Sequence, residues 1–152
     1  MVYQFKLETI LTYRRNLEDL AQQKLAAEER ILQGHRDLMA DYEDNRRLTA
    51  QEFDSRKQGS ISGPIFGLFI DAIKGLDLQI QIQQTRVQSQ EKMVEAARSE
   101  LVTKVKDRKV IEKFREQDHR KYLKEMIRLE YKEIDEIAVL RNKHGGGLHN
   151  SR

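Results

Sequence analysis

Four histidines, His35, His119, His144 and His149, and the run Gly59-Ser60-Ile61-Ser62-Gly63 have the residue types that could hold a metal or a phosphate. A helical metal site needs ligands one turn apart, at i and i+4 or in a spacing such as HExxH, and no histidine here has such a partner. His144 and His149 sit in a Gly-rich end, where a disordered polar tail is a better reading than a metal trap, and His35 reads as a packed or half-exposed helix residue. The Gly-Ser run lacks the lysine of a phosphate loop, and no GxGxxG, GxxxxGK(S/T) or GxSxG motif occurs, so a hairpin turn explains it better. Carboxylates are abundant, but a general acid needs a desolvated one, and a chain with so little core has nowhere to desolvate it. No catalytic, cofactor-binding or metal residues are therefore assigned, and the chain is read as not an enzyme.

Lys104, Lys106, Arg108 and Lys109, with Asp107 the only acid among them, form the densest basic run. Nucleic acid could use it, but no aromatic residues interleave the charges and acids return at Glu112 and Glu116, so a solvated helix face or a contact for an acidic protein fits better. The balance of the whole chain agrees: 28 basic and 25 acidic residues leave a net charge of +3, too even for a nucleic-acid tail or a polybasic membrane anchor. The absence of cysteine removes disulfides, thiolate metal sites and thiol catalysis. The first residues carry charge at once, and no apolar run reaches signal-peptide or membrane-span length, which points to a soluble cytoplasmic protein.

Thirty-five per cent charged residues, one proline and no tryptophan suit long helices better than a sheet or a compact α/β domain. Helix breakers cluster once before the chain's end, between Gln58 and Gly67. The sequence therefore predicts an all-α fold, a long antiparallel two-helix coiled-coil hairpin in which helix two is longer than helix one. Residues 1–58 form helix one, 59–64 the turn, 65–142 helix two with a C-terminal overhang, and 143–152 a flexible tail. Gly63-Pro64 suits a helix start, because proline in the first turn gives up an N–H that has no partner there.

Helix two carries Phe66, Ile73, Ile80, Val87, Val94 and Leu101 at intervals of seven, with Phe69, Leu76 and Ala97 between them, the pattern of a coiled-coil seam. Gln83 and Gln90 lie on it. Beyond Leu101 the same register would turn Lys104, Arg108 and Arg115 inward, so a displaced stripe of Val105, Val110, Ile111 and Phe114 is expected over 102–118. Helix one shows a looser seam of Leu7, Ile10, Leu17, Leu20, Ala21, Leu25, Ile31, Leu32, Leu38, Met39, Tyr42 and Phe53, interrupted by Arg14, Glu28 and Arg46. Counting outward from the turn, facing residue numbers should sum to about 120–125, and everything past about 120 overhangs. At 1.5 Å per residue, helix two spans roughly 120 Å.

Near the turn, Phe66, Phe69, Ile70, Ile73 and Leu76, with Met39 and Tyr42 opposite, occupy a wider arc than one seam hides. Part of that cluster should face solvent, to be covered by a partner protein or by a second copy. On the overhang, Ile134 and Ile137 lie beyond the reach of helix one and likewise want a partner.

Three features converge on a family: Phe5-Lys6-Leu7-Glu8-Thr9-Ile10-Leu11-Thr12-Tyr13-Arg14 opening helix one, a Gly-bearing turn near 60, and Ile134-Asp135-Glu136-Ile137-Ala138 late in helix two. Together they resemble FliJ, the coiled-coil hairpin of the bacterial flagellar type III export apparatus, over essentially residues 3–142. The resemblance implies a non-enzymatic cytoplasmic stalk, similar to the central subunit of rotary ATPases, that docks at the cytoplasmic face of the inner membrane only through its partners. Its terminal coiled coil would enter the hexamer of the export ATPase FliI, and a surface nearer the turn would engage the export gate protein FlhA, with export chaperones as a further partner class. Carried onto this sequence, the gate-contacting face falls on Met39, Tyr42, Phe69, Ile73 and Leu76, with His35, Arg46 and Ile80 at its edges. Arg46 and Ile80 depart from the aromatic and histidine that the family can show at those two positions. Export-ATPase contact is expected from Arg14 and Arg15 and, on the overhang, from Lys121, Lys124, Arg128 and Lys132. A stalk of a virulence-type injectisome, of the YscO kind, would share this fold, and the Phe5 to Arg14 opening favours the flagellar version. A nucleic-acid-binding coiled coil is the more distant alternative, and no nucleic acid is expected as a partner.

Overall fold

The computed structural model describes residues 2–145 and consists of two helices, α1 (Glu8–Lys57) and α2 (Gly63–Gly145), with no strand among the described residues. α1 opens where the Phe5 carbonyl accepts the Glu8 N–H at 3.2 Å, and the Glu8 carboxylate in the first turn complements the positive end of the helix dipole. Arg56 and Lys57 do the converse in its last turn. α2 begins at Gly63, with the Ser62 carbonyl accepting the Phe66 N–H at 3.0 Å and Pro64 in the first turn. No described glycine has a positive φ, so the turn reverses the chain without a left-handed residue. At its far end α2 runs past Asn142, where the sequence reading stops it, to Gly145; His144 Nδ1 lies 3.1 Å from the Leu140 carbonyl, a local bond that carries the helix three residues further. The rest of the expected tail, 146–152, lies outside the described residues.

The two helices run antiparallel as a coiled-coil hairpin. By packing they divide into an end unit, Met1–Arg15 with Lys106–Arg152 (of which 2–15 and 106–145 are described), and a turn unit, Asn16–Val105. Cross-helix pairs fix the register. Within the turn unit, Gln90 reaches Glu28 and Arg36 reaches Glu91, numbers that sum to 118 and 127 and bracket the expected value.

The core is a ladder with alternating steps of three and four. On α1 it comprises residues 7, 11 and 14 in the end unit and residues 18, 21, 25, 28, 32, 35, 39, 42, 46, 49 and 53 in the turn unit, each buried or half-buried. Arg14, Glu28 and Arg46 are thus seam members and not the interruptions their charge suggested: each is half-buried and meets a partner on α2, Asp107, Gln90 and Asp77 respectively. Leu11, fully buried, stands on the same ladder and was absent from the predicted seam, whereas Ile10, Leu20, Ile31 and Leu38 are exposed.

The displaced stripe expected on α2 is found only in part, Val105 and Ile111 being half-buried. Lys104 in the turn unit and Arg108, Ile111 and Arg115 in the end unit hold the original register half-buried, while Val110 and Phe114 are 54% and 53% exposed. A charged seam is tolerated because its charges are paired: Arg108 meets Glu112 at 2.7 Å and Arg115 meets Glu8 at 3.5 Å.

Gln83 is the most buried polar side chain, 1% exposed, and its amide donates to the His35 carbonyl at 2.9 Å and lies 3.0 Å from His35 Nδ1. Gln90 donates similarly to the Glu28 carbonyl at 3.1 Å.

Candidate functional site

Neither unit encloses a cleft with chemistry, and among the described residues no group of three or more His, Asp or Glu is placed to hold a metal ion. His35 packs against Gln83, His119 meets the Tyr3 ring edge-on at a ring separation of 4.8 Å, and His149 lies outside the described residues. What the fold offers is surface, in two places.

The first lies in the turn unit. Met39, Tyr42, Phe69, Ile73 and Leu76 are all half-buried along the seam, in the joint between the helices. They are spread along it: Met39 packs against the cluster of Leu32, Val87 and Val94, and Phe69 is closed over by Phe53. Its buried ring stacks on Phe69 at 5.3 Å and meets Phe66 edge-on at 5.2 Å, and the Arg56 guanidinium sits 5.5 Å over the Phe69 ring. Arg46 and Asp77 close the far side with a short ion pair that raises the guanidinium's proton affinity. Leu48, Leu68, Leu78 and Ile82, which sequence reasoning did not select, are exposed apolar side chains of the same unit, Leu68 the most at 68%. Ile65, Leu68, Ala72, Gly75, Gln79 and Ile82 repeat the three-and-four spacing one residue out of step with the seam, a signal legible in the sequence.

The second surface belongs to the end unit. Arg14 pairs with Asp107 at 3.1 Å and Arg15 with Glu112 at 3.5 Å, so both of these candidate contact residues are already engaged. The Glu112 carboxyl is held below its ordinary range, first by its hydrogen bond from Arg108 and then by Arg15. Tyr3 crosses to α2, its hydroxyl donating to Asp118 at 3.0 Å and lying 3.3 Å from the Arg115 carbonyl. Desolvation and that bond to Asp118 push its proton affinity up.

On the overhang Arg128 pairs with Glu125 one turn back, while Lys121, Lys124 and Lys132 have no ion-pair partner among the described residues. The basic run from Lys104 to Lys109 is split by burial: Lys104 and Arg108 are half-buried, Asp107 serves Arg14, and only Lys106 and Lys109 stand exposed.

These pairs give stability a pH dependence of fixed sign. Glu100, hydrogen-bonded by Lys24 at 2.9 Å, Glu112 and Glu125 all titrate below their ordinary 4.5 in the folded chain. The unfolded chain therefore binds more protons than the folded one as pH falls through that range, so the contribution is full above about pH 4.5 and is lost below it. Lys24, raised above 10.5, gives the opposite dependence, present below that pH and lost above it. We expect the midpoint of thermal unfolding to be nearly level from about pH 6 to 9 and to fall below pH 4.5, with a shallower fall in about 0.5 M salt because the groups are exposed. Circular dichroism melts across pH would measure it.

Residues 3–147 match the model of the family described as "Flagellar FliJ protein". Among solved structures, the chain is similar to CT670 from Chlamydia trachomatis, described as a YscO homolog: 20% identity, 96% of this chain and 99% of that chain covered, TM-score 0.59. That likeness concerns the fold. No curated protein matches the chain. Among the described residues no helix is long and apolar enough to cross a membrane.

Proposed function

This chain belongs to the FliJ family, a family of type III export coiled coils, and from that premise we propose that it serves as a non-catalytic stalk of flagellar protein export. In this reading it works in the cytoplasm, its end unit seated in the hexameric export ATPase FliI and its turn unit meeting the export gate protein FlhA, with export chaperones as passing partners. The observation that carries the reading is the family match over nearly the whole chain, joined to a fold whose described residues offer contact faces and no enclosed site.

The end unit suits a pore because its surface is charged. Around a stalk that turns or seats transiently, screened polar contacts hold without locking one orientation, as a dry apolar fit would. Since Arg14, Arg15 and Arg128 are tied within the chain, Lys121, Lys124 and Lys132 are the expected contact residues left to meet the ring. The turn unit would meet the gate through the open edges of Met39, Tyr42, Phe69, Ile73 and Leu76.

The test is steady-state ATP hydrolysis by the hexamer with and without this protein, across a salt series. Wild type should stimulate hydrolysis, Lys121→Glu with Lys124→Glu and Lys132→Glu should remove most of the stimulation, and raised salt should imitate the triple change. Single reversals should do little, because exposed ion pairs are individually weak. No stimulation and no binding by wild type would overturn the stalk assignment. Stimulation indifferent to both charge reversal and salt would overturn the electrostatic contact alone.

A further inference from the structure

We propose that the α2 overhang recognises itself: a second copy of this chain lays its own overhang antiparallel on the first, about a two-fold axis between Arg128 and Leu129. The inference uses only this chain and does not rest on the export reading.

From Leu123 to His144 every described side chain is exposed except Met126, because α1 has no residues left to face them. Yet this stretch is not a polar helix. Leu123, Ile127, Tyr131, Ile134 and Ile137, with Met126 and Ala138, fall on one side of α2 at spacings of three and four; Leu123, Ile127, Ile134 and Ile137 are between 46% and 61% exposed. A continuous apolar stripe on a lone helix is a face without its partner.

Charge says which partner. Residues 120–128 contain Arg120, Lys121, Lys124 and Arg128 against Glu125 alone, a net +3, and residues 129–137 contain Glu130, Glu133, Asp135 and Glu136 against Lys132 alone, a net −3. Two adjacent blocks of equal length and opposite sign are self-complementary when one copy is reversed. In the reversed pairing, facing residue numbers sum to 257. Leu123 then lies level with Ile134 and Met126 with Tyr131, while Lys121 lies level with Glu136, Lys124 with Glu133, and Glu125 with Lys132. A parallel pair would set each block against itself, so the same charges that favour the antiparallel dimer oppose the parallel one. Lys121, Lys124, Lys132, Glu130, Glu133, Asp135 and Glu136 have no ion-pair partner within the described chain and are open to such use. The acidic block also sets the stripe against an anionic membrane, which would repel one half of it.

The contact runs about 27 Å along each helix and buries on the order of 1,000 Å², near the lower limit for a specific interface, so the dimer is weak and reversible. Sedimentation of the full chain from about 1 to 200 μM should show a monomer–dimer equilibrium. Lys121→Glu with Lys124→Glu, and separately Glu133→Lys with Glu136→Lys, should each raise the dissociation constant at least tenfold. An equimolar mixture of the two variants should restore association to within about threefold of wild type, because each copy then offers the sign the other lacks. Leu123→Gln with Ile134→Gln should also abolish the dimer while leaving helical circular dichroism unchanged.

A wild type that stays monomeric throughout, or that binds only a foreign helix, overturns the proposal. So does association that both charge variants leave intact, or a mixture that stays monomeric although each variant is helical.

Discussion

Phe53→Ala is expected to destabilise the protein by about 3–5 kcal/mol, the range for removing a buried aromatic ring from a core. Phe53 is 5% exposed and is the hub of the turn unit's aromatic cluster, with Phe66 and Phe69 against its ring and the Lys57 ammonium 4.0 Å from its centre. Deleting it leaves Phe69 without a stacking partner and opens a void that two facing helices cannot close without bending. Since a chain of this size holds about 5–15 kcal/mol in total, the loss should be plain in urea unfolding as a lower midpoint. Leu68→Ala, on an exposed side chain nearby, should change stability by about 0.5 kcal/mol or less and serves as the comparison. Equal effects from the two substitutions would mean that the Phe53 ring is not the packed centre described above.

Leu11→Ala should cost about 2–5 kcal/mol, and its effect should be local. Leu11 is fully buried in the end unit, flanked on the α1 ladder by Leu7 and Arg14. One of those two neighbours is charged and the other only half-buried, so little other apolar burial in that unit can compensate. Native-state hydrogen exchange is the measurement: amides of residues 8–15 should exchange roughly thirtyfold to five-thousandfold faster, while those around Val87 and Val94 in the turn unit change much less. Uniform acceleration along both helices would show instead that the chain opens as one cooperative body.

How far the sequence could be read follows from what sets each feature. The two helices and their order were legible because one cluster of glycine, serine and proline stands between long stretches free of proline, and the register followed from arithmetic once the turn was placed. The seam of α1 was only half legible. Selecting by residue type takes in Ile10 and Leu20, which point outward, and leaves out Leu11, whereas stepping strictly by three and four from Leu7 finds Leu11, Arg14, Ala21 and Leu32 in turn.

The same bias produced the expected shift over 102–118. An arginine at a seam position looks like a break until its carboxylate is found: Glu112, one turn on from Arg108, could have been read from the spacing, whereas Glu8 cannot be recognised as the partner of Arg115 before the two ends of the hairpin are paired. Of the five residues selected near the turn, all lie half-buried on the seam, and Phe53 and Arg56 cover Phe69 in a way no periodicity announces.

The glutamines of the seam have a mechanical consequence. Gln83 and Gln90 each tie a side chain of α2 to the backbone and side chain of one residue on α1, His35 and Glu28. A load directed along the helix axes strains both ties in shear, and both must rupture together before α1 can slide past α2. A load that bends the pair strains them unequally and asks neither to break. Within residues 16–105 the hairpin is therefore stiff against sliding and compliant in flexure, the behaviour of a push-rod whose two halves are pinned at intervals.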